Sequence, residues 1–436
     1  MRRHGCNRPR RDRAVRPTPA LRPGPGVKVS AARIARNLAD VNQFGATAAG
    51  GAERLAWTDD EIAARRWLSD ACADLGLDVE QDEAGNVWAH PPETRGVYLG
   101  SHLDTVPDGG RFDGALGVIG ALEVLRSARE ANRPEARRLG LVCFTDEEGA
   151  RFGIGMLGSR SLAGVVELEE VQRAVGTDGA RLPDVLRHYG IDPSRLPLVA
   201  QRRARVAAYL ELHIEQGPRL EREGLAVGIV TGIVGISNWR IRVSGVANHA
   251  GATMPADRHD ALMPVGELIL AAQRSMRAHP ADLVATVGVA GVIGGASNIV
   301  PGRAHATLDI RSLDEGLLAA AVDEIVGAGR RSAQDNGCEF LPTETKRMPP
   351  ALMSPLVMDA LDAAARGEGI PTVRLSSRAA HDGMNLATAG VPCGMVFVRS
   401  QGGISHAPAE FSSEEDCGLG VQVLARGAIA LARTVR

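Results

Sequence analysis

Residues 97–105 read Val-Tyr-Leu-Gly-Ser-His-Leu-Asp-Thr, and residues 139–148 read Leu-Gly-Leu-Val-Cys-Phe-Thr-Asp-Glu-Glu. Each stretch is a short apolar run, typical of a buried strand, that ends in polar residues. The intervening residues 115–129 place leucine and isoleucine at helical spacing on one face. This order of strand, helix and strand predicts a βαβ unit, and therefore a parallel sheet in this part of the chain.

The polar residues that end these two strands are candidates for a functional site. His102 and Asp104 follow the first strand, and Asp146, Glu147 and Glu148 follow the second. Ligands of parallel sheets gather beyond the carboxyl ends of the strands. Because both strands end at the same edge of the sheet, we expect the two groups of side chains to lie close together.

The rest of the chain continues this α/β pattern in part and also predicts a second structural unit of a different kind. Residues 27–73 have a helical pattern, and residues 394–398 form another buried strand of the α/β type. From about residue 227, alternating strands and longer helices are predicted, namely strands at 239–244, 283–289 and 304–311 and helices at 261–276 and 317–330. This β-α-β-β-α order is typical of a small α+β domain inserted into a larger one.

We therefore predict an α/β fold, in which a mostly parallel-sheet domain carries an inserted, smaller α+β domain. The larger domain takes residues 27–227 and 346–436, and the inserted domain takes residues 228–345. Residues 1–26 are rich in Arg and Pro and predict a disordered extension. This extension has no apolar stretch of the kind that a signal peptide carries.

Composition argues against several other classes of protein. The 436 residues carry a net charge of −2 and only 3% aromatic residues, which disfavours a nucleic-acid-binding surface. No apolar run reaches the roughly 18 residues that a membrane helix needs. Six cysteines without paired spacing argue against a disulfide scaffold and favour a cytoplasmic location.

Imidazole and carboxylate side chains recur in short motifs along the chain. These motifs contain His102, Asp104 and Asp113, the adjacent Glu147 and Glu148, His213 with Glu215, and His406. Ligands of this kind, without thiolate, suit Zn, Mn, Co or Ni. Two such ions can share one bridging carboxylate and leave another carboxylate free as the general base for water.

Each motif also has a purely structural explanation when it is taken alone. A single His at a strand end is most often hydrogen-bonded to the backbone, and an Asp before Gly is a common turn residue. Paired glutamates are often part of a solvated loop. Adjacent carboxylates at a buried sheet edge repel each other, however, and burying them is costly unless a cation compensates. The combination of motifs therefore favours a metal centre.

Six motifs resemble those of the M20 metallopeptidase-like superfamily and its hydantoinase/carbamoylase branch, and they follow one another along the chain in the order expected for the family. The superfamily motifs are Gly100-Ser-His-Leu-Asp-Thr-Val, Phe112-Asp-Gly, Asp146-Glu-Glu-Gly and Ser405-His-Ala-Pro. The branch motifs are Leu212-His-Ile-Glu-Gln-Gly-Pro and Ala247-Asn-His-Ala-Gly-Ala-Thr. That branch includes N-carbamoyl-L-amino acid hydrolases, β-ureidopropionase-like enzymes and allantoate amidohydrolases. The resemblance extends from about residue 27 to the C-terminus, and it implies that the larger domain is the catalytic domain and that the inserted domain is a lid or dimerisation domain.

The resemblance implies a centre with two divalent metal ions, for which Zn is favoured over Mn, Co and Ni. Asp113 would bridge the two ions. His102 and His213 would complete one site, and Glu148 and His406 would complete the other. The centre would therefore hold its ions through imidazole and carboxylate groups alone.

The resemblance also implies roles for the residues around the ions. Glu147 would be the general base, and Asp104 would orient the imidazole of His102 as its hydrogen-bond partner. The family often has a cis peptide bond after the bridging aspartate. In this chain that bond would join Asp113 and Gly114.

Three residues of the predicted inserted domain match substrate-binding residues of the family. His249 matches a histidine that stabilises the oxyanion, often in the site of the partner subunit. Asn298 and Arg311 match residues that bind a substrate carboxylate, a task that suits the planar fork of Arg. Without the resemblance, His249 would be read as capping a turn and Arg311 as a solvated charge at a strand edge.

Four further residues complete the set that the resemblance implies. Gln216 would contact the carbamoyl or ureido group of the substrate. Gly402 and Gly403 would present backbone N–H groups to the substrate carboxylate. His381 lies in Ala-Ala-His-Asp-Gly, which resembles a family motif near the site, and a direct role is left open.

These assignments imply hydrolysis without a covalent intermediate. Glu147 would take a proton from the attacking water and pass it to the leaving nitrogen. An N-carbamoyl-L-amino acid would then yield the amino acid, CO₂ and ammonia. The expected partner is a small carbamoyl or ureido acid with a carboxylate, the expected assembly is a homodimer, and neither nucleic acid nor membrane is expected.

Three alternatives stay open. An allantoate amidohydrolase would use the same machinery, and Arg160 lies in a segment similar to those of allantoate enzymes. A dinuclear aminopeptidase or dipeptidase is disfavoured by His213, because peptidases of the superfamily commonly have a carboxylate there. A catalytically silent metal-binding protein is disfavoured by the presence of Glu147 beside a complete ligand set.

Overall fold

The computed structural model describes residues 26–435, so the predicted extension of residues 1–26 lies outside the described residues except for Gly26. Within this range the α-helices are α1 (Ala31–Val41), α2 (Asp59–Ala73), α3 (Ala115–Glu130), α4 (Leu157–Ala163), α5 (Leu168–Arg173), α6 (Leu182–His188), α7 (Arg219–Glu223), α8 (Leu262–Ala278), α9 (Glu315–Asp335), α10 (Pro355–Gly367), α11 (Asp382–Thr388) and α12 (Glu414–Ala432).

The strands of the same range fall into a large sheet, a smaller sheet and a short two-stranded ribbon. They are β1 (Asp78–Gln81), β2 (Val87–His90), β3 (Gly96–His102), β4 (Leu139–Phe144), β5 (Val206–Ile214), β6 (Val227–Ile233), β7 (Gly235–Ser244), β8 (Asn248–His249), β9 (Leu283–Thr286), β10 (Ala290–Val292), β11 (Ile299–Val300), β12 (Arg303–Ser312), β13 (Glu339–Met348), β14 (Ala351–Leu352), β15 (Thr372–Ser377) and β16 (Cys393–Val398).

The larger sheet has nine strands in the order β1-β2-β4-β3-β5-β16-β6-β14, with β15 beside β6. Its central strands β4, β3, β5 and β16 are parallel to one another, whereas β1, β2 and β14 pair antiparallel at the edges. The predicted βαβ unit of β3, α3 and β4 is confirmed, and so is the α/β fold with a largely parallel central sheet. The carboxyl ends of four parallel strands therefore meet at one edge.

The central strands are buried on both faces, as parallel strands between helices must be. Leu99 and Leu210 join a core that includes residues of α1, α3, α10 and α12. Their neighbours Tyr98 and Tyr209 point to the other face, into a core with residues of α4, α5, α6 and α11. This double burial makes the parallel strands a rigid base for the residues that follow them.

Polar caps fix the starts of several helices. Ser30, Thr58, Asp314 and Ser413 each accept a hydrogen bond from a backbone N–H in the first turn of α1, α2, α9 and α12 respectively. In α2 and α12 the first turn is also acidic, which complements the positive end of the helix dipole. Local sequence thus sets where these helices begin.

The smaller sheet has the order β10-β12-β7-β13, with β9 also paired to β12. All these pairs are antiparallel. The sheet packs against α8 and α9 around a separate core that includes Ile241, Leu268, Leu308 and Ile325. Antiparallel strands with helices on one face form the α+β unit that the alternating pattern predicted.

The structure corrects three local predictions. Residues 27–73 do not form a continuous helix, because Gly45 and Gly50 turn the chain with positive φ and Ala52 pairs with Gly109. Strand β9 ends at Thr286, and β13 was not predicted. By sheet membership the smaller unit spans residues 235–348 instead of 228–345, because β6 belongs to the larger sheet and β13 to the smaller one.

Two expectations drawn from the composition concern the cysteines and membrane helices, and the structure bears on both. The cysteines among residues 26–435, namely Cys72, Cys143, Cys338, Cys393 and Cys417, are free thiols. Among the helices of the same range, none combines the length and the apolar content that crossing a membrane requires.

Candidate active site

The candidate metal ligands lie at the carboxyl ends of the central parallel strands. His102 is the last residue of β3, and His213 is the last residue but one of β5. Glu147 and Glu148 follow β4, and His406 lies in the loop after β16. Motifs that are up to three hundred residues apart in sequence therefore meet at one sheet edge, as the strand pattern predicted.

Asp113 lies at the centre of this group, in the turn that leads into α3. Its Oδ1 is 3.6 Å from His102 Nε2 and 3.2 Å from His213 Nε2. Its Oδ2 is 3.3 Å from His406 Nε2, which is itself 3.6 Å from Glu148 Oε2. One oxygen of Asp113 thus faces each of two ligand sets, and in each set the ligand atoms lie within 4.8 Å of one another.

The donor atoms of this cluster fit divalent metal ions. His213 Nε2 is buried and has no hydrogen-bond partner among the described residues, which is uncommon for a buried polar atom. The Nδ1 atoms of His102 and His213 lie 3.0 Å from the backbone carbonyls of Asp104 and Ile214. With the proton on Nδ1, each ring directs the lone pair of Nε2 into the cluster, as metal-binding histidines do.

The electrostatics of the cluster also favour a cation. Burial raises the pKa of Glu147 well above its usual range, and burial together with the Asp113 carboxylate raises the pKa of Glu148 to about 7. Burial also acts on Asp113, but its close contacts with the surrounding histidines outweigh it and hold the pKa of Asp113 well below its usual range. The hydrogen bond with Asp113 raises the pKa of His406 to about 9. These directions describe carboxylates that gain stability from nearby positive charge.

The turn after Asp113 brings its carboxylate against His102. Gly114 has a φ of 60°, and a Cβ atom at this position would lie 2.4 Å from Cε1 of His102. Only glycine meets both requirements. The prediction of a cis peptide bond between Asp113 and Gly114 is wrong, since none of the peptide bonds in residues 26–435 is cis. The positive φ of Gly114 makes the chain reversal instead.

The side chain of Asp104 links the ends of β3 and β4. Its Oδ1 and Oδ2 accept hydrogen bonds from the backbone N–H groups of Glu147 and Glu148, at 3.2 and 3.1 Å. Its carboxylate is 3.6 Å from His102 Nδ1, which lies closer to the Asp104 carbonyl. The carboxylate therefore holds the two glutamates in place, and the backbone carbonyl makes the contact with the imidazole.

A cavity of about 570 Å³ opens in front of the ligands. Glu147 lines it together with Asp113, Glu148, His213 and His406. Met156, Ala379 and Ala380 line another part, and Ile236, Arg311 and Lys346 reach it from the smaller sheet. A second cavity of similar volume lies between α1 and residues 411–417, but it contains none of the predicted site residues. The cavity beside the ligands is therefore the candidate substrate site.

Arg311 lies on the wall of this cavity that the smaller sheet provides. Its Nε and Nη2 atoms donate to the carboxylate of Asp309 at 2.9 and 3.1 Å, and Nη1 donates to the carbonyl of Arg378 at 2.8 Å. A guanidinium has five N–H groups, so two remain for a ligand. Arg311 thus lines the cavity with Asp309 as its fixed partner, and its contact with a substrate carboxylate stays a prediction.

The structure does not bring His249 and Asn298 to this cavity. Both residues are exposed, and the carbonyl of Asn298 accepts a hydrogen bond from the N–H of Ala250 at 2.8 Å. His249 Nδ1 accepts hydrogen bonds from the N–H groups of Gly251 and Ala252, both at 3.1 Å. In the neutral ring the proton then lies on Nε2, which has no partner within residues 26–435. His249 caps a turn and still presents a donor to solvent.

Gln216 and the two glycines after β16 have other partners than the substrate groups expected for them. Gln216 lines the cavity, but its Nε2 donates to Asp113 Oδ2 at 2.8 Å. The N–H groups of Gly402 and Gly403 already donate to Glu221 and to the carbonyl of Ser400. Neither glycine lines the cavity, and a Cβ atom on Gly403 would meet the backbone of residues 217–218 at 2.7 Å. Close packing therefore explains Gly403.

His381 lies at the inner end of the cavity, where it contacts a metal-ligand candidate. Its ring centroid is 4.3 Å from that of His213, and its Nε2 is 2.9 Å from Ser377 Oγ. Burial lowers the pKa of His381 well below its usual range, so the ring is neutral. His381 thus packs directly on a metal ligand, while its contact with a substrate stays a prediction.

Glu410, which was not predicted from the sequence, joins two of the ligand loops. Its Oε1 accepts hydrogen bonds from the N–H groups of Phe112 and Asp113 at 2.8 and 3.0 Å. Its Oε2 lies 2.8 Å from Ser405 Oγ, and that hydroxyl is 3.0 Å from Asp113 Oδ2. No sequence pattern reveals such a role, because Glu410 acts on backbone groups 297 residues away along the chain.

Known proteins are similar to this chain over most of its length. A family model described as Peptidase family M20/M25/M40 matches residues 98–429, a segment that contains all the candidate metal ligands. An N-carbamoyl-L-amino acid amidohydrolase of Geobacillus stearothermophilus is 37% identical over 396 residues, which cover 90% of this chain and 96% of that protein. An allantoate amidohydrolase of Bacillus subtilis is 30% identical over 386 residues, which cover 88% of this chain and 93% of that protein.

A solved structure is similar as well. The crystal structure of an amidase of the hydantoinase/carbamoylase family from Burkholderia multivorans matches with a TM-score of 0.85 and 33% sequence identity. The match covers 94% of this chain and 99% of that chain. Both the larger sheet and the smaller unit therefore have counterparts in a single known fold.

Proposed function

The chain belongs to Peptidase family M20/M25/M40 and is a hydrolase of amide-type C–N bonds, and we propose that its substrate is an N-carbamoyl-L-amino acid or a related ureido acid. The products would be the amino acid, CO₂ and ammonia. One observation carries the proposal. Two ligand sets that share Asp113 lie beside Glu147 in the same cavity that Arg311 enters from the smaller sheet. Such a cavity suits a substrate with a carbamoyl group at one end and a carboxylate at the other.

We assign the two ligand sets to two divalent ions. His102, Asp113 and His213 would hold one ion, and Asp113, Glu148 and His406 would hold the other. Zn is the ion that we favour, and Mn, Co and Ni suit the same imidazole and carboxylate donors. Ions bound here supply Lewis acidity, which polarises a carbonyl group and lowers the pKa of water.

Glu147 is the residue to which we assign proton transfer. It lines the cavity next to the ligand sets, and its backbone N–H is fixed by the Asp104 carboxylate. Glu147 takes the proton of the attacking water and returns it to the leaving nitrogen.

The substrate carboxylate is assigned to the two N–H groups that Arg311 leaves open. Asp309 occupies the other side of the guanidinium and fixes its plane. We assign His249 to the oxyanion, since its Nε2–H has no other acceptor and faces solvent in the single chain. His249 and Asn298 do not line the cavity of their own chain, which supports an active homodimer whose smaller units act as lid and dimerisation domains.

Ammonia release tests the proposed function directly. The protein is stripped of metal, reloaded with Zn or Mn, and assayed with several N-carbamoyl-L-amino acids, allantoate, ureidoglycolate and a set of dipeptides. We expect metal-dependent release of ammonia from at least one carbamoyl or ureido acid and no cleavage of dipeptides. Cleavage of dipeptides alone, or metal binding without turnover of any compound, would overturn the proposal.

Allantoate is the second candidate substrate, because a relative of 30% identity carries that activity in its name. Arg160, whose segment resembles those of allantoate enzymes, lies in α4 and pairs with Glu170 at 2.6 Å. It does not line the cavity. Ammonia release from allantoate therefore decides this alternative, and the position of Arg160 gives it little support.

A further inference from the structure

Three adjacent strands of the smaller sheet each send one residue to the candidate substrate cavity. Ile236 on β7, Arg311 on β12 and Lys346 on β13 all line it. The register pairs Ile236 with Arg311 and, two residues further along β7, Asn238 with both Asp309 and Lys346. The end of the smaller sheet thus forms a wall with one apolar and two cationic side chains opposite the metal ligands.

The charge of Arg311 is balanced within this wall. Asp309 accepts two hydrogen bonds from the guanidinium and a third from Asn238 Nδ2 at 2.8 Å. Burial opposes ionisation of Asp309, but these hydrogen bonds outweigh it and lower its pKa, and Lys346 adds to the effect. Arg311 and Asp309 therefore form an ionised pair with little net charge.

Among the described residues, no ion pair balances the positive charge of Lys346. It makes no ion pair and no hydrogen bond through its side chain within residues 26–435, and the nearby Glu344 pairs with Arg347 at 3.5 Å and accepts from Ser237 Oγ at 2.8 Å. Lysine is also rare in this chain, where it provides two of the 50 basic residues, Lys28 and Lys346. The compact ammonium group of Lys346 thus lies at the cavity wall without an ion-pair partner among residues 26–435, and Asp309, on whose carboxylate it acts, is already paired with Arg311.

We propose that Lys346 binds a second acidic group of the substrate, so that the preferred substrates are ureido acids with two carboxylates, such as N-carbamoyl amino acids with an acidic side chain. This inference rests on the proposed function. The two open N–H groups of Arg311 already satisfy both oxygens of one carboxylate. Lys346 starts from a strand that lies two positions away from β12, roughly 10 Å at the usual strand spacing. That separation suits two distinct anionic groups better than one shared carboxylate.

The inference can be tested with a pair of substrates of matched shape. The aspartate and leucine side chains both branch after one methylene group, and only aspartate carries a charge. The ratio of kcat/KM for N-carbamoyl-L-aspartate to that for N-carbamoyl-L-leucine is measured by ammonia release from the metal-loaded enzyme. We expect a ratio above one in the natural enzyme, and we expect added NaCl to lower it because salt screens an exposed charge.

Variants of the two lysines isolate the contribution of Lys346. Lys346→Met keeps the length of the side chain, and we expect it to lower the ratio about fivefold, the effect of an exposed ion pair. Lys346→Arg keeps the charge, so its ratio should stay close to that of the natural enzyme. Lys28→Met removes the other lysine, which is exposed in the segment before α1, and should leave the ratio unchanged.

Two results would overturn the inference while leaving the proposed function intact. One is a natural enzyme that prefers the leucine compound. The other is an unchanged ratio in Lys346→Met, including the case in which kcat/KM falls equally for both substrates, since Lys346 would then bind the carboxylate that they share. Failure of the loaded enzyme to release ammonia from any carbamoyl or ureido acid would overturn the proposed function itself, and this inference with it.

Discussion

The two ends of the candidate substrate cavity are built differently. At the end formed by the larger sheet, His102, His213 and Asp113 are buried, and a network of hydrogen bonds holds them. At the end formed by the smaller sheet, Arg311 is about one-third exposed, and the side chain of Lys346 has no ion pair or hydrogen bond in the part of the chain that the structure describes. His249 and Asn298 lie outside the cavity altogether. The end at the larger sheet is preformed, and we propose that the end at the smaller sheet is completed by the substrate and by His249 and Asn298 of a second copy of the chain.

This difference follows from the tasks that the two ends perform. Metal ligands must be held to within a few tenths of an ångström, which requires rigid strands and fixed hydrogen-bond partners. Substrate-binding groups can adapt, and some must move to admit the substrate. We therefore expect substitutions at the buried end to affect metal content and chemistry, and those at the exposed end to affect substrate affinity.

The largest effect is expected at the buried end, from Glu147→Gln. Removing the general base should lower kcat about 1,000-fold, whereas the metal content stays unchanged because Glu147 belongs to neither ligand set. Metal analysis and ammonia release on the same sample measure the two quantities. Glu169→Gln, on an exposed glutamate of α5, is the matched control and should behave like the natural enzyme. Near-normal turnover in Glu147→Gln with full metal content would show that another group is the base.

His249→Ala should lower kcat about 100-fold, the effect of losing one oxyanion donor. If the histidine acts in the site of the partner subunit, two inactive variants should complement each other. Co-expression of His249→Ala with Glu147→Gln would then restore activity at roughly a quarter of the sites, because random pairing makes half of the dimers mixed. Complete absence of complementation in verified mixed dimers would place His249 in its own subunit's site.

Glu410→Ala should weaken metal binding about 10- to 100-fold, as expected for a residue that positions a ligand. The substitution leaves the N–H groups of Phe112 and Asp113 without their acceptor and frees the loop that carries His406. Competition with a chelating dye measures the affinity for Zn. Glu410→Gln keeps an acceptor oxygen and should retain most of the affinity. Equal behaviour of the alanine and glutamine variants would argue against this positioning role.

Arg311→Lys should raise KM about tenfold and change kcat little, because lysine cannot reproduce the planar fork that faces both Asp309 and the substrate. Steady-state kinetics with the preferred substrate provide the measurement. A drop in kcat with unchanged KM would instead assign Arg311 to the chemical step.

The smallest effect is expected from metal removal on overall stability. Bound ions stabilise only the folded state, so chelation should lower Tm by about 5 °C at moderate ion excess. Hydrogen exchange should then accelerate in residues 97–115, 139–150 and 401–410, and stay constant in the smaller sheet of residues 235–348. Uniform acceleration in both units would contradict the difference between the two ends of the cavity.

Much of the buried end could be predicted from the sequence, and little of the exposed end could. His102, Glu147 and Glu148 follow apolar runs, and burial of those runs between helices fixes where the strands end. Glu410 and Lys346 gave no signal, because neither lies in a periodic pattern or beside another polar motif. Their surroundings come from segments that are distant along the chain, and only packing brings those segments together.

The parallel sheet, the edge at which its ligands gather, the family and the reaction class could all be predicted from the amino-acid sequence. These properties depend on local hydrophobic patterns and on short motifs whose chemistry the side chains carry with them. The folded chain adds which oxygen of Asp113 faces which ligand set, that Glu410 joins the loops of Asp113 and His406, and that Arg311 is already paired. Those contacts depend on distances between strands and loops, which a linear pattern of residues does not contain.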